Sequence, residues 1–455
     1  MERITGDTLM DHQDTGAIFL ASRSRAGLFD EMGLGKTITA IAALSIAMHT
    51  RGVVICPAIL RANWVSEIKK WCPYTLKVCK GESVSDFDSW SSGAYDVLIT
   101  SYEQATTWWR RVRGDKSIKF EFLIIDEGHY LKNWDSKRSK AILGYLANGE
   151  HGWVSRSDHA WWLTGTPMPN DPQDIYTFLR FCNAMPLAPV AFTNRFFTST
   201  KTRFGSRNEI RLSDVNELRQ LVSNNSLRRT KREVGLNIPP IHLTELLVEG
   251  DTEPVKKLVR QYPDIEDAIL NAIEEGGLSL IDAQHIATLR RLVGEAKSVP
   301  YAELLVEELK QTKEKRVVFG VHIAALAIVG RALEVAGIPY VRIDGSTSEK
   351  ARQHAIARFQ RDPDLRCFVA NMTVAGSGTT LTAACELDVL ESEWSPGRNA
   401  QALMRVHRIG QARTVHARFI SLADTIDATI THVVAQKVKA IAEIDSEPMV
   451  AAPTK

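Results

Sequence analysis

The stretch that most constrains this chain is DEMGLGKT, residues 30–37. An apolar run, AGLF, leads into it and an apolar alternation, ITAIAALSIAM, follows. That order reads as strand, tight loop and helix, the frame of a phosphate-binding loop. Gly33 and Gly35 would let backbone N–H groups close on phosphate oxygens. Lys36 would reach the β- and γ-phosphates, and the Thr37 hydroxyl would hold Mg²⁺. The helix that begins there turns its positive end toward the same anion. The strict pattern has glycine where this chain has Asp30, so the loop alone is a partial match. The competing reading is a helix N-terminus with a solvated lysine.

The rest of the chain decides between them. EFLIIDEGH, 121–129, is an apolar strand that ends in Asp126 and Glu127. Ligands of open α/β sheets sit beyond the carboxyl ends of the strands. An aspartate there can hold Mg²⁺, and the glutamate beside it can polarise an attacking water. The bland alternative is a strand running out into solvent. GVVICPA (52–58), DVLITSYEQ (96–104) and AWWLTGTP (160–167) read as further strands, the first apolar on both faces as a central parallel strand requires. Trp64, Ile68 and Trp71 recur at helical spacing and read as core. Upstream, Gln13 offers donors and an acceptor that suit an adenine edge, although a surface glutamine would look the same.

At 455 residues, two or three domains are expected. A net charge of +2 gives no global attraction to a polyanion, so any nucleic-acid surface must be local. The local candidate is residues 195–232, with ten Lys or Arg against three Asp or Glu. Its densest part, Arg228-Arg229-Thr230-Lys231-Arg232, is either a solvated face or a phosphate-contacting surface. LNIPP, 236–240, breaks the chain, and residues 251–295 read as helices. From about 301, helix and strand alternate again every 15–20 residues, which argues for a second parallel sheet. In NAQALMRVHRIGQ, 399–411, Arg405 and Arg408 stand three apart and would share a face if the segment were helical. Two such arginines can fork onto a triphosphate; a salt-bridged surface helix would show the same spacing. The six scattered cysteines contain no Cys-x-x-Cys pair, which disfavours structural zinc and fits reduced thiols. MERITGDTLMDHQD has no apolar leader and no run approaches a bilayer span. The expected setting is therefore cytoplasmic in a bacterium or a phage-infected host, or nuclear in a eukaryote.

Taken in order, DEMGLGKT, ICPAILRANWVSEIKKW, DEGH, LTGTP, LRRTKREV, IDGST, AGSGTTLTAA and ESEWSPGRNAQALMRVHRIGQ resemble the Swi/Snf-type (SNF2-like) ATPases of helicase superfamily 2. The spacing around RRLVGEAKSVPYAELL looks most like the annealing-helicase (HARP-like) branch. Asp30 in the loop is what this family shows. The resemblance implies an α/β fold of two RecA-like lobes, parallel sheets flanked by helices, with a short helical insertion between them. The expected limits are 1–184 for the ATP-binding lobe and 185–300 for a basic helical segment, linker and insertion. The second lobe would span 301–440 and a flexible tail 441–455.

By the same resemblance, Gln13, Gly33, Gly35, Lys36, Thr37 and Gln401 would bind ATP, and Thr37 and Asp126 would hold Mg²⁺ through it. Lys36, Asp126, Glu127, Arg405 and Arg408 would carry catalysis. Thr166, Ser346, Thr347 and Thr373 fall in motifs that in the family contact the DNA backbone or couple it to ATP, and Arg228, Arg229 and Lys231 would join them as DNA contacts. The implied activity is a DNA-dependent ATPase that translocates on duplex DNA, reannealing or remodelling forks and displacing bound proteins. The alternative is a strand-separating helicase or the motor subunit of a restriction or repair complex. The implied partners are double-stranded or forked DNA and repair or replication proteins, with no membrane, the chain acting as a monomer. Two departures stand out: Gly128 in DEGH where Ala, Ser or Cys is usual, and AGSGTT in place of AGGxGIN.

Overall fold

The computed structural model describes residues 9–444 apart from 145–151, 166, 169–171, 203–204, 212, 237, 264, 266–268, 270–282, 376–378 and 395. These residues form two units that meet in sequence between Gly235 and Leu236.

The first unit is built on a seven-stranded, all-parallel sheet. Its strands are β1 (Arg25–Leu28), β2 (Gly52–Cys56), β3 (Val78–Lys80), β4 (Val97–Ser101), β5 (Phe120–Asp126), β6 (Ser157–Leu163) and β9 (Ser226–Leu227). They lie in the order β3-β4-β2-β5-β6-β1-β9. Every residue of β2 and β4 is buried, as expected for central strands covered on both faces. One layer of helices includes α1 (Asp11–Ala21), α2 (Lys36–Ala47) and α3 (Arg61–Trp71). Its core joins Leu20, Ile41, Leu44, Trp64 and Ile68 to Val54, Ile124 and Trp161 of the sheet. The opposite core is aromatic, with Trp90, Trp108, Trp153 and Phe178 packed on Val53, Leu123 and Ile125. An antiparallel pair, β7 (Phe197–Thr202) and β8 (Gly205–Ile210), stands apart from the sheet.

The second unit carries a six-stranded parallel sheet of β10 (Ile241–Val248), β11 (Arg316–Gly320), β12 (Tyr340–Ile343), β13 (Cys367–Asn371), β14 (Glu386–Val389) and β15 (Val415–Leu422). Their order is β10-β15-β14-β11-β13-β12. A long helix, Ala283–Gln311, supplies Tyr301, Leu305 and Leu309 to one core. Within this helix, Lys297 is buried and ion-paired at 2.9 Å to Asp427 while donating to the Ile420 carbonyl. This unit is centred on a polar cluster. Asp388, fully buried on β14, accepts hydrogen bonds from Tyr301 Oη (2.8 Å), both ends of the Arg418 guanidinium (2.8 and 2.9 Å) and Arg316 Nη1 (3.1 and 3.2 Å). Arg418 also forks onto Glu308 at 2.6 and 2.7 Å.

The α/β architecture of two parallel sheets flanked by helices is thus the one expected. The stretch 185–300 is shared between the units: β9 completes the first sheet, and β10 forms an edge of the second by pairing with β15 over its whole length. At the C-terminus, the helix Ile426–Ile444 extends past 441, and the remainder of the expected tail lies outside the described residues. Among the described residues no helix is long and apolar enough to cross a membrane.

The Asp388 cluster yields the first prediction. Replacing one member of a buried ion pair leaves its partners charged and desolvated, which costs about 3–5 kcal/mol. Asp388→Ala is expected to destabilise the second unit on that scale, read from the denaturant midpoint.

Candidate active site

The phosphate loop leaves β1 and enters α2 with Gly33 and Gly35 both in the left-handed region, φ 92° and 84°. A side chain at 35 would meet Gln13 Nε2 at 2.4 Å as well as strain the backbone. Gln13 is buried and donates to the Leu34 carbonyl at 3.2 Å, while its Oε1 accepts from Met10 N at 3.1 Å. His12 Nε2 lies 3.0 Å from the same Leu34 carbonyl. The glutamine read from sequence as an adenine contact therefore also holds the tip of the loop. Lys36 Nζ donates to the carbonyls of Asp30 (2.6 Å) and Glu31 (3.3 Å). Thr37 sits beside it in the first turn of α2.

The two carboxylates end β5 in the same sheet. Trp64 Nε1 donates to Asp126 Oδ2 at 2.8 Å, Glu127 N donates to Oδ1 at 3.0 Å, and Tyr102 Oη holds the Asp126 carbonyl at 2.7 Å. Burial and then the neighbouring Glu127 charge push the Asp126 carboxyl up to about 7, against the lowering effects of Trp64 and Lys36. Glu127 turns the chain with φ 54°, and His129 Nδ1 lies 3.2 Å from its Oε2 and 3.0 Å from Thr164 Oγ1. A Cβ on Gly165 would lie 3.3 Å from Lys36 Nζ, so the Thr164-Gly165 turn borders the phosphate loop. Thr166 itself lies outside the described residues.

Gly128, the departure in DEGH, has a local cause. A Cβ there would stand 2.1 Å from Trp162 Nε1 on β6, so the indole occupies the room that a larger residue takes. Trp64 was legible only as core. Its helical spacing hid an indole N–H that reaches a carboxylate, and no signal within its own segment could have shown that partner.

Arg229 and Lys231 are turned inward. Arg229 pairs with the fully buried Asp30 and Lys231, itself buried, with Glu31 at 2.6 Å. Of the basic run, Arg232 is exposed and Arg228 half-buried. As a phosphate-contacting surface the run is thus reduced, because two of its cations neutralise the loop's own acids.

In the second unit, the helix Pro396–Leu403 carries Gln401 and ends before Arg405. The shared helical face expected for Arg405 and Arg408 is replaced by a turn. Leu381 N takes the Arg405 carbonyl at 2.8 Å, Gly410 adopts φ 95°, and Gln411 Nε2 ties the turn to the Ala384 (2.7 Å) and Val406 (3.2 Å) carbonyls. Arg408 Nη1 reaches the Thr379 carbonyl at 3.4 Å. Ser346, Thr347 and Thr373 follow the carboxyl ends of the adjacent strands β12 and β13. Ser346 Oγ donates to Asp344 Oδ1 at 2.6 Å, which holds that carboxyl below its ordinary range; Thr347 Oγ1 accepts from Asp344 N at 3.0 Å. Thr373 is exposed, its amide donating to Asn371 Oδ1 at 3.0 Å.

A model of the SNF2-related domain matches residues 12–254, and one of the helicase conserved C-terminal domain matches 300–410. The chain belongs to the SNF2-related family. Its domains are those of an ATP-hydrolysing enzyme of helicase superfamily 2. Among curated proteins it is similar to the human "DNA annealing helicase and endonuclease ZRANB3", 28% identical over 435 residues, covering 92% of this chain and 39% of the relative. It is also similar to the Xenopus tropicalis "SWI/SNF-related matrix-associated actin-dependent regulator of chromatin subfamily A-like protein 1", 29% identical over 455 residues, covering 96% of this chain and 45% of the relative. This chain thus spans less than half the length of these relatives. A solved structure, "Sulfolobus solfataricus SWI2/SNF2 ATPase core in complex with dsDNA", is 23% identical with a TM-score of 0.43, covering 97% of this chain and 93% of that one.

The residues of this SNF2-related site fit Mg²⁺. A cation would offset the two causes that raise the Asp126 carboxyl, its burial and the neighbouring Glu127 charge, by favouring the ionised form. Among the described residues no three Asp, Glu, His or Cys side chains are placed to hold a metal ion by themselves, so phosphate oxygens and water would complete the coordination.

Two predictions follow from this geometry. Without Mg²⁺, the folded chain keeps the Asp126 proton at a pH where the unfolded chain, with a carboxyl near 3.9, has released it. The stability this contributes is full below pH ~4 and is lost as pH rises through about 7. The melting temperature should fall over that window, less so in Asp126→Asn, and Mg²⁺ should recover part of the loss. Gly128→Ala should cost about 1–3 kcal/mol through overpacking, and Trp162→Leu added to it should return part of that stability.

Proposed function

We propose that this protein is a DNA-dependent ATPase that translocates on double-stranded DNA and, as an annealing or fork-remodelling motor, displaces what is bound there. The observation that carries the reading is the phosphate loop, with Lys36 seated on the Asp30 carbonyl, in the same sheet as the Asp126–Glu127 pair, in a chain whose family is SNF2-related. The name of the ZRANB3 relative, an annealing helicase, supports the finer part.

In this reading Lys36 and the loop amides bind the triphosphate, and Thr37 and Asp126 hold Mg²⁺. The metal supplies charge neutralisation on the phosphate oxygens. Glu127, its position fixed by the strained turn it occupies, orients and polarises the attacking water. Arg405 and Arg408 of the second unit act as arginine fingers, a role worth about 10³–10⁵ in rate in nucleotide hydrolases. Gln13 and Gln401 complete nucleotide recognition. Ser346, Thr347 and Thr373 contact the DNA backbone, as does Thr166. Such contacts carry no sequence information, so binding should be salt-dependent and largely non-specific.

ATP turnover by the purified chain should rise on adding duplex DNA and disappear in Lys36→Ala. Displacement of a triplex-forming strand, without unwinding of plain duplex, would mark translocation. Turnover that ignores DNA altogether would contradict the assignment.

A further inference from the structure

The phosphate loop carries two acidic side chains of its own, Asp30 and Glu31, directly ahead of the glycines. Left unpaired they would repel a triphosphate. Neither is unpaired. Arg229 Nε donates to Asp30 Oδ1 at 3.0 Å and Nη2 to Oδ2 at 2.5 Å, a bidentate fork on a carboxylate with no solvent exposure. Arg229 Nη1 also donates to the His12 carbonyl, and Gly16 on α1 leaves the space, since a Cβ there would stand 2.7 Å from Nη2. Two residues on, Lys231 Nζ lies 2.6 Å from Glu31 Oε1 and its backbone N donates to Oε2 at 2.7 Å. The main chain follows the same path: Phe29 N takes the Leu227 carbonyl at 2.7 Å and Glu31 N the Arg229 carbonyl at 2.9 Å. The carbonyls under Lys36 Nζ are those of Asp30 and Glu31, the two residues so clamped.

We propose that Arg229 and Lys231 are positioning residues of the nucleotide site, neutralising Asp30 and Glu31 and holding the phosphate loop open to an anion. This rests on the ATPase reading and departs from the reading of the basic run as a DNA contact. The clamp acts through the loop: neither cation is required to touch nucleotide. Removing Lys231 leaves the Glu31 carboxylate uncompensated beside the phosphates, and removing that carboxylate as well relieves the repulsion.

The test is direct binding of Mg²⁺ with a fluorescent N-methylanthraniloyl ATP to the full chain, without DNA. Lys231→Met and Arg229→Lys are each expected to weaken binding about tenfold, the scale on which outer partners of a liganding group act. Lys231→Arg should stay within about twofold. Glu31→Gln added to Lys231→Met should recover most of the lost affinity, a reversal that a lost DNA contact would not give, and the melting temperatures of the single and double variants, read alongside, separate it from a recovered fold. Duplex affinity at saturating nucleotide should be unchanged in Lys231→Met. If the wild type binds nucleotide in a Lys36-dependent way and Lys231→Met binds equally well, or the double variant stays as weak as the single, the clamp is overturned while the ATPase reading stands. If the wild type binds none, both fall.

Discussion

The first unit turns on one ion pair, Asp30 with Arg229. Asp30 occupies a position where a phosphate-binding loop ordinarily has glycine, and it is fully buried. A lone carboxylate there would be too costly to ionise. The bidentate guanidinium resolves that and, with it, brings strand β9 against β1. A substitution that looks like damage to the nucleotide loop is therefore the anchor by which a distant segment becomes part of that loop. Lys36 depends on the same arrangement, because its ammonium rests on backbone oxygens whose positions the anchor fixes.

Around the carboxyl ends of β1, β5 and β6, chemistry is gathered by backbone direction. Parallel strands release their loops at one end of a sheet, so Lys36, Asp126, Glu127 and Thr164 arrive from three strands without any one segment carrying the site. Packing then fine-tunes it. Glu127 keeps a positive φ that costs on the order of 1–3 kcal/mol, and the 3₁₀ turn that follows is seated by Gly128 against Trp162. Trp64 supplies from the helix layer a donor to the carboxylate of the buried Asp126.

What was legible in the sequence follows from how each feature is encoded. β2, β4 and β5 are continuous apolar runs because both faces are covered, and they could be read at once. β9 spans two residues, too few for any period, and is a strand only because β1 lies next to it. β10 mixes polar and apolar residues as an edge strand does, and its identity comes from β15. The loop and the acidic pair were recoverable as motifs. The helix assumed beneath Arg405 and Arg408 was not there, since Gly410 and the Gln411 amide stabilise a turn that residue spacing does not encode. Likewise, a run of five basic and polar residues shows its charge in one dimension but not which cations are already neutralised in three.

The two units use buried charge differently. In the second unit Asp388 faces Arg418 directly across β14 and β15, and Arg316 lies on the same face of β11 two residues before the partner of Asp388. A slip of one residue in any of these strands would turn a charged side chain to the opposite face, so the cluster specifies register within rigid elements and is saturated by its own members. In the first unit the equivalent charges join a loop to a strand at the place where an anion must enter. There the pairing fixes register and also sets the local potential, and the energy that stabilises the fold is drawn from the same residues that prepare the site.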